Sequence, residues 1–118
     1  MNIIRATSTP VYIKPDGDDV LVIIAVANCV IHLPKAVNAR TGLRVIATVE
    51  TVSGSGTGAS LSPDADDKFQ GTGLTAADNK DLINTQATEA VGDTAEVVCD
   101  NDTGWRVTNL IGTWAREA

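Results

Sequence analysis

Leu43-Arg44-Val45-Ile46-Ala47-Thr48-Val49-Glu50-Thr51-Val52 is the stretch that decides the fold. Leu43, Val45, Ala47 and Val49 fall on one side of an extended chain, and Arg44, Ile46, Thr48 and Glu50 on the other. A period of two is the signature of a strand with one face in a core, and no helix presents its apolar residues this way. Downstream, Ser53–Gly58 is too rich in glycine to hold a strand and reads as a mobile hairpin tip, with Ala59–Ser62 as a short return strand stopped by Pro63-Asp64. Upstream, Val20–Val26 and Cys29–Leu33 are two apolar strands split by Ala27-Asn28, the second ending at Pro34, which cannot continue a ladder. Lys35–Arg40 reads as a helical turn joining two strands, and Val11–Lys14 as a short strand closed by Pro15-Asp16-Gly17-Asp18. Towards the C-terminus, Thr94–Asp100 and Trp105–Ile111 form a hairpin joined by Asn101-Asp102-Thr103-Gly104.

The rest is less patterned. Asp64–Asn84 carries the weakest signal, with Thr75–Ile83 either one or two helical turns capped by Thr75 or an ordered loop. Residues 1–10 lack clear alternation and are expected to form an N-terminal arm, leaving 11–118 as one domain with no internal repeat. Short strands separated by turn chemistry predict a single all-β domain, either a sandwich or a jelly-roll-like barrel.

Composition narrows function by exclusion. Nine Lys and Arg against fifteen Asp and Glu give a net charge of −6. That balance opposes nucleic acid, whose phosphates are neutralised by cations, and anionic membranes alike. The first residues lack the apolar run of a secretory leader, so cytoplasmic synthesis is expected. Cys29 and Cys99 match no metal or redox spacing and sit in apolar runs, where buried free thiols are expected in preference to a disulfide.

The chemistry of catalysis is not gathered anywhere in the chain. His32, the single histidine, lies between Ile31 and Leu33 in a strand, and no nucleophile motif, phosphate loop or His-Glu-x-x-His accompanies it. No catalytic residue, cofactor or metal ligand is therefore assigned. Asp16/Asp18/Asp19, Asp64/Asp66/Asp67 and Asp100/Asp102 occupy turns, which these residues favour for local hydrogen-bonding reasons. The run Asp100-Asn-Asp102-Thr-Gly104 opens like a calcium loop, but Ile111 stands where a bidentate Glu belongs. Trp105 heads an apolar strand and is expected in the core. Trp114 follows a Gly-Thr turn and is the better anchor for an interface, together with the arm residues Ile3, Ile4 and Arg5 and the neighbouring Val11.

The order of motifs carries a resemblance. Leu33-Pro34 closes a strand, and Gly42 opens the alternating one. Ser62-Pro63-Asp64 leads to Phe69-Gln70-Gly71, then Gly92-Asp93, Val97 and Asp100 to Gly104-Trp105-x-Val107 and a terminal Gly112-Thr113-Trp114. Over residues 20–115 this resembles a small β module of tailed-bacteriophage structural proteins, found in capsid decoration (cement) proteins and in domains of tail fibres and spikes. The resemblance implies a β-sandwich or β-tulip-like fold, often trimeric, with no catalytic residues. It further implies a virion protein on the outer capsid surface, made in the bacterial host cytoplasm, whose partners are the major capsid protein and its own copies in a homotrimer. The alternative within the same group is a tail-fibre adhesion module that binds a host receptor or glycan.

Overall fold

A computed structural model describes all residues, Met1–Ala118. The strands are β1 (Asn2–Ala6), β2 (Val11–Tyr12), β3 (Val20–Ile24), β4 (Val30–His32), β5 (Arg44–Val49), β6 (Ser60–Ser62), β7 (Lys68–Gln70), β8 (Leu82–Asn84), β9 (Thr94–Cys99), β10 (Gly104–Ile111) and β11 (Trp114–Arg116). They make a six-stranded sheet in the order β1-β3-β5-β9-β10-β7 and a five-stranded sheet in the order β11-β8-β6-β4-β2. The fold is all-β, and the two packed sheets form a sandwich.

The chain enters this sandwich as a coil. From β1 to β6 it alternates between the sheets, and each pass lies parallel to the one before: β1 beside β3 beside β5, and β2 beside β4 beside β6. The passes end where the sequence bends sharply, as at Asn28, whose φ of 54° is a left-handed conformation that asparagine tolerates. Inward residues follow the period of two. Val20, Val22 and Ile24 of β3 and Val45, Ala47 and Val49 of β5 face Ile31 of β4 and Leu61 of β6 in one aliphatic core. Trp105 and Phe69, fully buried and side by side in the register of β10 and β7, fill the other end of the core.

The second half closes the sheets by antiparallel pairing. β9 lies between β5 and β10, and the β9–β10 hairpin forms as its sequence predicts, with a register shift between Val107 and Asn109. A local two-fold relates the approaches to β5 and β9. Each is preceded by a 3-10 turn (Ala36–Asn38, Gln86–Thr88) and a left-handed glycine (Gly42, Gly92). Gly42 N–H donates to the Cys99 carbonyl, and Gly92 N–H to that of Val49. This repeated unit is absent from the sequence reading because only the glycine is shared between the two segments.

Several expectations need correction. Residues 1–10 are not an arm, since Asn2–Ala6 is strand β1, paired with β3 over its whole length. Its alternation is hidden because both faces carry isoleucine: Ile4 packs towards the core and Ile3 faces out. Ser53–Gly58 is not a hairpin tip, because β5 and β6 lie in different sheets. The loop is pinned by Glu89 Oε1, which accepts from the N–H groups of Ser53 and Gly54, and by Asn28 Oδ1, which accepts from Gly58 N–H at 2.9 Å. Between β7 and β8 there is no helical turn, and the ordered-loop alternative holds. Of the two architectures that the strand spacing permitted, the sandwich is the one formed.

Candidate interaction surface

Strand β3 reads Val-Leu-Val-Ile-Ile, apolar on both faces. Its inward residues are used by the core, so Leu21 and Ile23 face away from it. The register places Ile3 of β1, Leu21 of β3 and Ile46 of β5 side by side in one row, and Arg5, Ile23 and Thr48 in the next. The outer face of the six-stranded sheet therefore carries four contiguous aliphatic residues, Ile3, Leu21, Ile23 and Ile46. Ile3 is 66% exposed and the other three are half-buried. Parallel strands with apolar residues on both faces are normally covered on both. Here the second face is open.

Paired charges frame this patch. Arg5 bridges Glu50 at 2.6 Å on one side. On the other, Asp19 receives the Arg40 guanidinium at 2.7 Å and the Arg44 N–H at 3.0 Å, and Arg44 also reaches Glu96 at 4.0 Å. The Arg44 N–H and the Arg40 guanidinium hold the Asp19 carboxyl below the usual carboxylate range. The hydroxyls of Thr94 and Thr48 share a hydrogen bond at 3.1 Å beside Ile23. The arrangement is an apolar centre with a polar, charge-balanced rim, the anatomy of a protein-binding surface.

The residues singled out from sequence divide. Ile3 and Arg5 lie on this face, while Ile4 and Val11 are half-buried against the core. Trp114 is not an exposed anchor. It is buried beside Asn84, and its Nε1–H donates to the Ile111 carbonyl at 3.0 Å. The Gly112-Thr113 turn carries the chain into the other sheet, so Trp114 begins a strand and is not on a free tail. Ile46 was read on the outer face of its strand, whereas Leu21 and Ile23 were missed as surface residues. The signal for them was present in β3, where an unbroken aliphatic run cannot put every side chain into one core.

The polar residues are occupied structurally. His32 stacks on Tyr12 with ring centroids 4.9 Å apart and planes inclined by 14°. Asp100 accepts from the N–H groups of Asp102, Thr103 and Gly104 and from the Thr103 hydroxyl. Burial pushes this carboxyl up, but those donors together bring it below its ordinary value. Asp67 is buried and accepts from Ala36 N–H at 2.8 Å, with burial raising its pKa. No three His, Cys, Asp or Glu side chains are gathered in a way that could hold a metal ion. Cys29 and Cys99 are both free buried thiols, raised by burial.

A buried polar knot was invisible in the sequence. Asn84 Nδ2 donates to Asp93 Oδ2 at 3.0 Å and to the Thr113 carbonyl at 3.1 Å, and Ala90 N–H donates to the same Asp93 oxygen. A β-carbon at Gly112 would run into the Asp93 carboxylate. These groups lock the crossing of β8, β9 and β11, and the Asn84 amide nitrogen is fully used there, while its Oδ1 is buried without a partner. No protein-family model matches this sequence, and a search of curated proteins returns no relative.

Proposed function

We propose that the chain is a non-catalytic structural protein of a tailed-phage virion that binds the outer surface of the capsid shell and clamps neighbouring capsid subunits. The observation that carries this reading is the open aliphatic face of Ile3, Leu21, Ile23 and Ile46, framed by paired charges. A face of this kind binds protein; the shell as its partner comes from the order of sequence motifs. The partner in this reading is the major capsid protein. A ligand that binds only the assembled lattice stabilises it by mass action, without chemistry. The homotrimer that the resemblance implies forms no part of this reading.

The test is co-sedimentation with decoration-free shells. Leu21→Lys combined with Ile46→Lys changes only outward side chains, so the domain keeps its circular dichroism. Loss of a central apolar contact is expected to weaken shell binding by about 30-fold. Binding that equals the unmodified chain's would remove this face from the reading, and failure of the unmodified chain to sediment with shells would overturn the reading itself.

A further inference from the structure

Strands β1 and β2 are edge strands of different sheets, and both lie at the same end of the sandwich. On β1, Asn2 N–H donates to the Asp19 carbonyl, and the Ala6 carbonyl accepts from Ala25 N–H. In a parallel ladder successive residues turn their main-chain groups to alternate sides. Asn2, Ile4 and Ala6 therefore face β3, and the N–H and C=O groups of Ile3 and Arg5 point away from the molecule. On the β2 side Ile13 N–H donates to the His32 carbonyl, so the main-chain groups of Tyr12 point outwards too. Between the two edges runs a groove of about 340 Å³, lined by Ile3, Ile4, Tyr12, Ile13 and Val20 together with the charged Lys14 and Asp18. Tyr12 is 71% exposed.

Three features select the occupant. The strands Asn-Ile-Ile-Arg-Ala and Val-Tyr contain no acidic residue, and their one charge, Arg5, is already paired with Glu50. The groove between them adds one cation and one anion, Lys14 and Asp18, so two copies meet here with balanced charge in place of the mutual repulsion that a net charge of −6 imposes elsewhere. The molecule measures 35 × 30 × 21 Å. The end wall then has a cross-section on the order of 600–700 Å² on each copy, so full contact of the two walls reaches the lower edge of the range of specific interfaces. A two-fold axis perpendicular to the layers, passing through this end, would also continue both sheets at once.

We propose that this end pairs with the same end of a second copy of the chain. β1 runs antiparallel to its mate across the two-fold, with Ile4 opposite Ile4. Ile3 and Arg5 exchange main-chain hydrogen bonds with Arg5 and Ile3 of the second copy. Both open aliphatic faces then lie on one side of the dimer, although the pairing does not depend on what those faces bind.

Sedimentation equilibrium of the full chain is expected to give a two-chain mass, twice 12.3 kDa. Ile3→Pro removes only an outward N–H, which an edge strand tolerates. It is expected to leave the monomer's circular dichroism intact and weaken the dimer by roughly 10- to 100-fold. Tyr12→Lys, which leaves the β1 backbone untouched, is expected to weaken it as well and decides the matter if Ile3→Pro does not fold. Register is read by cross-linking. Ile4→Cys meets itself at a site where Cα atoms lie about 4.5 Å apart, within disulfide reach, and forms a covalent dimer on mild oxidation. Arg5→Cys, opposite Ile3, does not. A single-chain or three-chain mass, a Tyr12→Lys variant as dimeric as the unmodified chain, or self-cross-linking through position 5 and not 4 would overturn the proposal.

Discussion

Trp105 is the largest side chain with no exposed surface, set against Cys99 on one flank and Phe69 on the other. Gly104 explains how it gets there: with φ at 141° and the Lys68 backbone pressed against it, that position admits no side chain. Removing the indole leaves a cavity between two strands that cannot close, so Trp105→Ala is expected to cost about 3–5 kcal/mol in denaturant unfolding. A loss below about 1 kcal/mol would show that the neighbours collapse into the space. The two tryptophans also mark what was legible at this scale. Trp105 heads an alternating strand and was readable as core. Trp114 was not, because nothing in Gly112-Thr113 reveals that the chain turns inward and gives the indole N–H a carbonyl to bond.

Among the elements, legibility came from alternation in the long strands and from flanking turn residues in the short ones. β2, β4 and β6 have two or three residues each and were readable because Pro15, Pro34 and Pro63 mark where they stop. β5, β9 and β10 are six to eight residues long and were read closely from their alternation. β7 and β8 have three residues each, too few to display a period, and they fell in the segment of weakest signal. β1 was lost for the opposite reason, since isoleucine on both faces reads as no pattern at all. The turn between β9 and β10 depends on one carboxylate, Asp100, whose donors draw its pKa below the ordinary value despite burial. A carboxyl lowered in the folded state contributes stability that is present above its unfolded pKa and is lost as pH falls through the folded one. Asp19 acts in the same sense. Asp67 and Asp81, raised by burial, act in the opposite one: their contribution is lost as pH rises from the ordinary value through the raised one. Asp100→Asn is therefore expected to shrink the fall in melting temperature between about pH 6 and about pH 2, measured by thermal scans at each pH. An unchanged acid limb would show that Asp100 is not responsible for it.

For the whole molecule, the class of fold was readable, but the path of the chain was not. Alternation and turn residues predict strands, and they do not say that the bends after β1, β3 and β5 carry the chain across to the other sheet. The same bends wind the first half of the chain into a coil of parallel passes, with its first turn at an open end. This coil has a kinetic consequence. Neighbours in the six-stranded sheet are distant in sequence: Asn2 pairs with Val20, Val20 with Val45, and Ala47 with Ala95. Only the β9–β10 hairpin is local. A topology built from non-local pairings folds in milliseconds to seconds, because chain entropy is lost before contacts repay it. Stopped-flow refolding followed by tryptophan fluorescence should fall in that range, and a microsecond phase carrying the full amplitude would contradict it. Until β9 has left the ribosome, β5 has no antiparallel neighbour, and the aliphatic run of β3 has neither a closed core nor a covered outer face. The nascent chain is therefore most prone to aggregate late in its synthesis, when most of its apolar residues have been made and the strand that joins the two halves has not.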